Sequence, residues 1–120
     1  MARLRHERPA QIDLAYILAT SAQRWGAEGR QRYAALFIAA MRQVAAEPEG
    51  LLTEVRPPGI RSFHVRYALR STEGTRVVRR PVHVLYYRVA QEGVTEIVRV
   101  LHERMDPSRH LEELSTGGDI

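Results

Sequence analysis

The side chains able to do acid–base or metal chemistry are five histidines, His6, His64, His83, His102 and His110. No two stand three or four residues apart, so no helical metal clamp exists. His64, His83 and His102 fall on three predicted strands, and a three-histidine site across a sheet is geometrically open. No carboxylate occupies an evident orienting position, which favours three ordinary strand residues and no metal. No serine lies in a G-x-S-x-G elbow, and the glycines form neither G-x-G-x-x-G nor a phosphate loop. No paired carboxylates mark glycoside chemistry.

Metal-free RNA cleavage needs a base, an acid and cations on the scissile phosphate. Arg61, Arg66, Arg88, Arg99 and Arg104, with Tyr86, Tyr87 and His64, contain such parts. Either tyrosine serves more readily as a core residue with its hydroxyl at the rim. The residues predicted to bind a partner are therefore Arg61, His64, Arg66, Arg88, Arg99, His102 and Arg104, with no catalytic, cofactor or metal residue assigned.

Charge supports a docking role. All 18 basic residues are arginine, and the net charge is +4. Residues 56–88 carry eight arginines against Glu73 alone, while residues 103–120 are net acidic. A positive field concentrated in one segment attracts an acidic partner and gives salt-sensitive affinity for polyanions. No helix-turn-helix or aromatic RNA-binding motif stands out, so sequence-specific nucleic-acid binding is not predicted. The arginines of residues 61–104 are expected largely on one exposed side.

The elements that must position these groups follow from periodicity. Ala2 to Glu7 reads as a short edge strand. Pro9 suits a helix start. Leu14, Ile17, Leu18, Ser21 and Trp25 share one face of a helix over 10–25, which Gly26 stops. A second helix over 28–46 carries the stripe Tyr33, Leu36, Phe37, Ala40, Met41 and Val44. The connection Gly26-Ala27 predicts an antiparallel helical hairpin. Phe63 to Leu69 alternates as a strand, Val82 to Val89 is apolar on both faces, and Val94 to His102 follows the turn Gln91-Glu92-Gly93. Arg70 to Arg80 reads as a long exposed connection. Asp106-Pro107 opens a short C-terminal helix that Leu111 and Leu114 dock. The predicted class is α+β, with the hairpin on an antiparallel β-sheet.

The 120 residues suit one domain over 1–114 with a frayed tail over 115–120. Hydrophobic residues are 44% and charged residues 27%, ordinary for a folded chain. There is no cysteine, so disulfides and thiolate chemistry are excluded. The first residues are too polar for a signal peptide and no run is long enough for a membrane span, which predicts a cytoplasmic protein.

Ile97 to Leu111, with its Val-Leu-His-x-Arg-Met-Asp core over 100–106, resembles the ParE toxins of bacterial type II toxin–antitoxin systems, often labelled plasmid stabilisation proteins. Ala10-x-x-Asp13-Leu14-x-x-Ile17, Tyr33 with Leu36, Gly59 to Phe63 and Val84 to Val89 resemble that family's earlier elements, in order. The resemblance spans about residues 3–111 and implies the ParE/RelE fold. It implies a growth-inhibiting, non-enzymatic toxin that poisons DNA gyrase by protein contact and is neutralised by a ParD-type antitoxin. The related RelE branch cuts messenger RNA on the ribosome with basic residues and a C-terminal tyrosine or histidine. This chain has no lysine and no tyrosine after Tyr87, which disfavours that alternative.

Overall fold

The computed structural model describes residues 3–56, 59–71, 78 and 80–111. The chain forms β1 (Arg3–His6), α1 (Arg8–Ala46), β2 (Glu54–Arg56), β3 (Ile60–His64), β4 (His83–Val89) and β5 (Val94–His102). The strands make one five-stranded sheet in the order β1-β5-β4-β3-β2.

α1 begins at Pro9, whose missing N–H costs nothing in a first turn. The Gln11 amide N–H donates to Glu7 O, and the Gln11 side chain donates to His6 O. A straight helix of 39 residues would measure roughly 58 Å at about 1.5 Å per residue. The longest dimension of the molecule is 42 Å. The run bends at Gly26, which takes φ 75° and ψ −175°, a backbone open to glycine and strained for a side chain. Past the bend His6 Nε2 meets Met41 Sδ at 3.1 Å. A Cβ added to Gly29 would lie 2.4 Å from Trp25 Cβ, so this position also requires glycine. The expected pair of helices with a connecting loop is thus corrected to a single helical run with a one-residue break.

β3–β4 and β4–β5 pair antiparallel, but β1 pairs parallel to β5, with Arg3 opposite Val94 and His6 opposite Ile97. The sheet is therefore mixed rather than antiparallel throughout. A parallel partner cannot follow through a tight turn, and here α1 and the strands β2 to β4 all lie in the chain between β1 and β5. The strand expected over Phe63 to Leu69 ends at His64, and a 3₁₀ segment runs over Val65–Ser71. Val65 and Ala68 are buried and Tyr67 is exposed, a spacing of three in place of two. The Arg66 amide N–H donates to His64 Nδ1 where the strand stops. β2, which the sequence reading missed, pairs Glu54 with Ser62 through Arg56 with Ile60.

β4 and β5 lie where the apolar runs placed them. The helix-facing core joins Leu36, Phe37, Ala40 and Val44 to Phe63, Leu85, Tyr87, Ile97 and Val100. The opposite face buries Ile60, Tyr86, Val98 and Leu101 under Leu111. Leu111 belongs to helical backbone over 107–111, opened by Asp106 Oδ1, which accepts the Ser108 amide N–H at 3.0 Å. The predicted continuation to Leu114, the tail over 115–120 and most of the connection Arg70 to Arg80 lie outside the described residues.

Candidate functional cleft

α1 is longer than the β1–β5 pairing it covers. Beyond Ile97 the outer edge of β5 has no strand beside it, and a side chain takes over. Asp13 Oδ2 accepts the Val100 amide N–H at 2.9 Å and the Arg99 Nε–H at 2.7 Å, while Oδ1 accepts from the other end of the guanidinium at 3.0 Å. Both side chains are mostly buried. A carboxylate holding a forked guanidinium and a strand amide fixes the first arm of α1 to the sheet.

Beside this clasp a cleft of about 470 Å3 opens between α1 and the ends of β4 and β5. One wall is Ile12, Tyr16 and Trp25, which are 60%, 73% and 58% exposed. Trp25, assigned by periodicity to the buried stripe, stands on this open wall instead, because the break at Gly26 ends the regular helix beside it. Met105 adds to the exposed apolar rim. Large apolar side chains gathered on one open groove mark a docking surface.

The cleft floor carries the histidines. His83 and His102 are directly opposed across β4 and β5, with ring centroids 5.6 Å apart. Tyr33 Oη lies 2.5 Å from His83 Nδ1 and accepts the Val82 amide N–H at 3.2 Å. Burial pushes the Tyr33 hydroxyl up to about 12. Burial, and after it the charges of His102 and His64, push His83 down to about 4, so its ring is neutral at ordinary pH. Among the described residues no group of three His, Cys, Asp or Glu side chains could hold a metal ion.

The seven predicted partner residues are not brought to one face. Arg99 is held against Asp13 on the cleft wall. Arg88 reaches Glu96 and Glu7 at the opposite end of β5. Arg61 donates to Thr53 Oγ1 beside β2. His64 sits one strand away from the cleft and meets Glu103 Oε2 at 2.8 Å. Arg66 is exposed, 4.9 Å over the Tyr67 ring, and Arg104 is exposed just past β5. Of the seven, only Arg99 and His102 line the cleft. The expectation of one arginine-bearing side is corrected accordingly. Carboxylates distributed along the chain recruit arginines pairwise, and linear charge counts do not register that. Reading the sequence missed Ile12 and Tyr16, whose signal was two apolar residues four apart and off the core stripe. It also missed Tyr33 as a hydrogen-bonding group, because the stripe consumed it.

A bent helical arm crossing a mixed sheet, with an open apolar cleft at one end, defines a small α+β protein with an exposed apolar groove. A family model described as "ParE toxin of type II toxin-antitoxin system, parDE" matches residues 4–107, and the chain belongs to this family. Toxin ParE1 of Mycobacterium tuberculosis, from strains CDC 1551 / Oshkosh and ATCC 25618 / H37Rv, is 33% identical over 104 residues, covering 85% of this chain and 90% of the relative. A solved chain of the chromosomal ParDE toxin–antitoxin system from P. aeruginosa shares the fold, with a TM-score of 0.62 at 17% identity over 85% of this chain and 96% of that one. No helix among the described residues is long and apolar enough to cross a membrane.

Proposed function

We propose that this chain is the toxin of a cytoplasmic ParDE-like module, that the cleft seats a segment of its ParD-type antitoxin, and that its target is DNA gyrase. The observation that carries the docking reading is the open apolar wall of Ile12, Tyr16 and Trp25 in a chain of the ParE toxin family. Such a wall gains most by burial under an amphipathic segment that is disordered when alone. Gyrase as target, and poisoning by contact, rest on the family resemblance.

The chemistry of the cleft favours contact over bond breaking. A general base must take a proton near neutral pH, and a histidine held at about 4 is a weak one. Asp13, the carboxylate on the cleft wall, is committed to Arg99 and the Val100 amide.

The test is purification with the protein encoded in the adjacent reading frame, then assay of the freed toxin. Binding should fall at least tenfold in Tyr16→Glu, which puts a charge on the buried face of the complex. The toxin should inhibit supercoiling and trap cleaved DNA complexes, and leave messenger RNA on translating ribosomes intact. Translation-dependent RNA cleavage without gyrase inhibition would replace this reading with the RelE-type one.

A further inference from the structure

His83 and His102 form an opposed pair whose tautomers the structure sets. The Tyr33 hydroxyl accepts the Val82 amide N–H, and among the described residues its own proton has no acceptor other than His83 Nδ1, so we assign it there. His102 Nδ1 accepts the Arg104 amide N–H at 3.1 Å. A neutral imidazole that accepts at Nδ1 carries its proton at Nε2. Both rings therefore offer an Nε2–H donor, and both line the same cleft. Among the described residues neither Nε2 has a hydrogen-bond partner. We propose that this pair is a carboxylate site, filled by one acidic side chain of the peptide segment that docks in the cleft.

The surroundings agree on the sign of the occupant. From α1 the pair faces Tyr33 and Asp13, from the chain before β4 it faces Arg80, from β5 Arg99, and from the 107–111 turn His110. The carboxylates that act on His83 are Asp13 and Glu103. Asp13 is occupied by Arg99 and Val100, and Glu103 by His64 on the neighbouring strand. Local anions are thus spent elsewhere, and two unmatched donors remain, on rings 5.6 Å apart and inclined at 78° to one another. A carboxylate with two oxygens accepts both N–H groups, and its charge favours protonating one ring. The proposal rests on the docking reading above and adds proton uptake to it. Binding draws a proton from solvent because burial keeps His83 neutral in the free toxin and the incoming anion reverses that preference.

The measurement is calorimetric titration of the intact toxin with the ParD-type protein of the adjacent frame, across about pH 8 to about pH 6 and in two buffers of different ionisation enthalpy. Wild-type affinity should rise several-fold toward the acid end with uptake of up to one proton. His102→Asn, which leaves the Tyr33–His83 pair intact, should bind several-fold more weakly across the range because one of the two donors is altered, while proton uptake at His83 persists. One Glu→Gln or Asp→Asn change in the antitoxin tail should give the same weakening. Tight binding with no proton uptake and no response to His102→Asn would overturn the carboxylate site and leave the docking reading standing. No binding at any pH would remove both. Displacement of the antitoxin by a short oligonucleotide, with no effect of the acid-to-amide changes, would also overturn it and assign the donors to phosphate.

Discussion

Two polar regions at opposite ends of β5 treat their hydrogen-bonding groups in opposite ways. At one end Glu96 is buried at the junction of β1, β4 and β5 and takes bonds from Arg5 and from Arg88 at 3.2 Å. Glu7 closes the group, 3.8 Å from Arg88. At the other end His83 and His102 present donors to an open apolar cleft. The first region satisfies its charges internally, and the second leaves its donors for an incoming group. Counting arginines finds neither; asking which polar atoms are matched and which are not separates the two.

The largest effect that would test this contrast is on stability at the clasp. Asp13→Ala should cost about 3 kcal/mol in denaturant unfolding, because it removes the carboxylate that clasps the mostly buried Arg99 and takes the acceptor from the Val100 amide. Glu96→Ala should cost about 2 kcal/mol, less because Arg5 and Arg88 can turn to water. A loss below about 0.5 kcal/mol in both would erase the distinction between a self-satisfied end and an open one.

Acid should reach the paired end last, below the value at which the buried His83 takes its proton. A hydrogen bond from Glu7, with help from Arg5 and Arg88, holds the Glu96 carboxyl down to about 2 against the desolvation that opposes it. A depressed carboxyl stabilises the fold above its ordinary value of 4.5, and that contribution is lost as pH falls toward about 2. Glu7 is raised by its hydrogen bond with Glu96 and by burial, so its protonation favours the fold and offsets part of the loss. Melting temperature should therefore drop over this range in the wild type, and the drop should be shallower in Glu96→Gln.

Two smaller effects sharpen the open end. Tyr33→Phe should cost about 1 kcal/mol by leaving the Val82 amide without its acceptor, and it should free His83 to change tautomer. The joint change Arg66→Glu and Arg104→Glu should leave stability within about 0.5 kcal/mol and slow partner association several-fold at low salt. Salt-independent association would show that these exposed arginines do not steer the encounter.

Much of the frame was legible. Short runs apolar on both faces over Val82 to Val89 and Val94 to His102, split by the turn at Gln91-Glu92-Gly93, marked β4 and β5, and Pro9 and Gly26 marked where the helical run starts and breaks. Three things were not. The parallel place of β1 depends on residues more than ninety apart, and local periodicity carries no pairing direction. The 3₁₀ segment at Val65 hides because Phe63, Val65 and Tyr67 satisfy a spacing of two before the chain adopts three. The cleft escaped for a different reason. Trp25 continues the helical stripe on paper, yet the break at Gly26 leaves it on an open wall, and the hydrogen-bonding role of Tyr33 exists only once Val82 is beside it.

The pairing of Arg3 through His6 with Val94 through Ile97 also sets an order of assembly. During synthesis the first strand emerges long before its neighbour β5 exists, and the helical run that follows it folds without a finished sheet beneath it. The cleft, which needs β5 on one side, cannot form until nearly the whole chain has left the ribosome. Closing so long a loop is slow, and the exposed apolar residues wait unprotected meanwhile. Until then the apolar wall stays open to capture by whatever amphipathic segment meets it first.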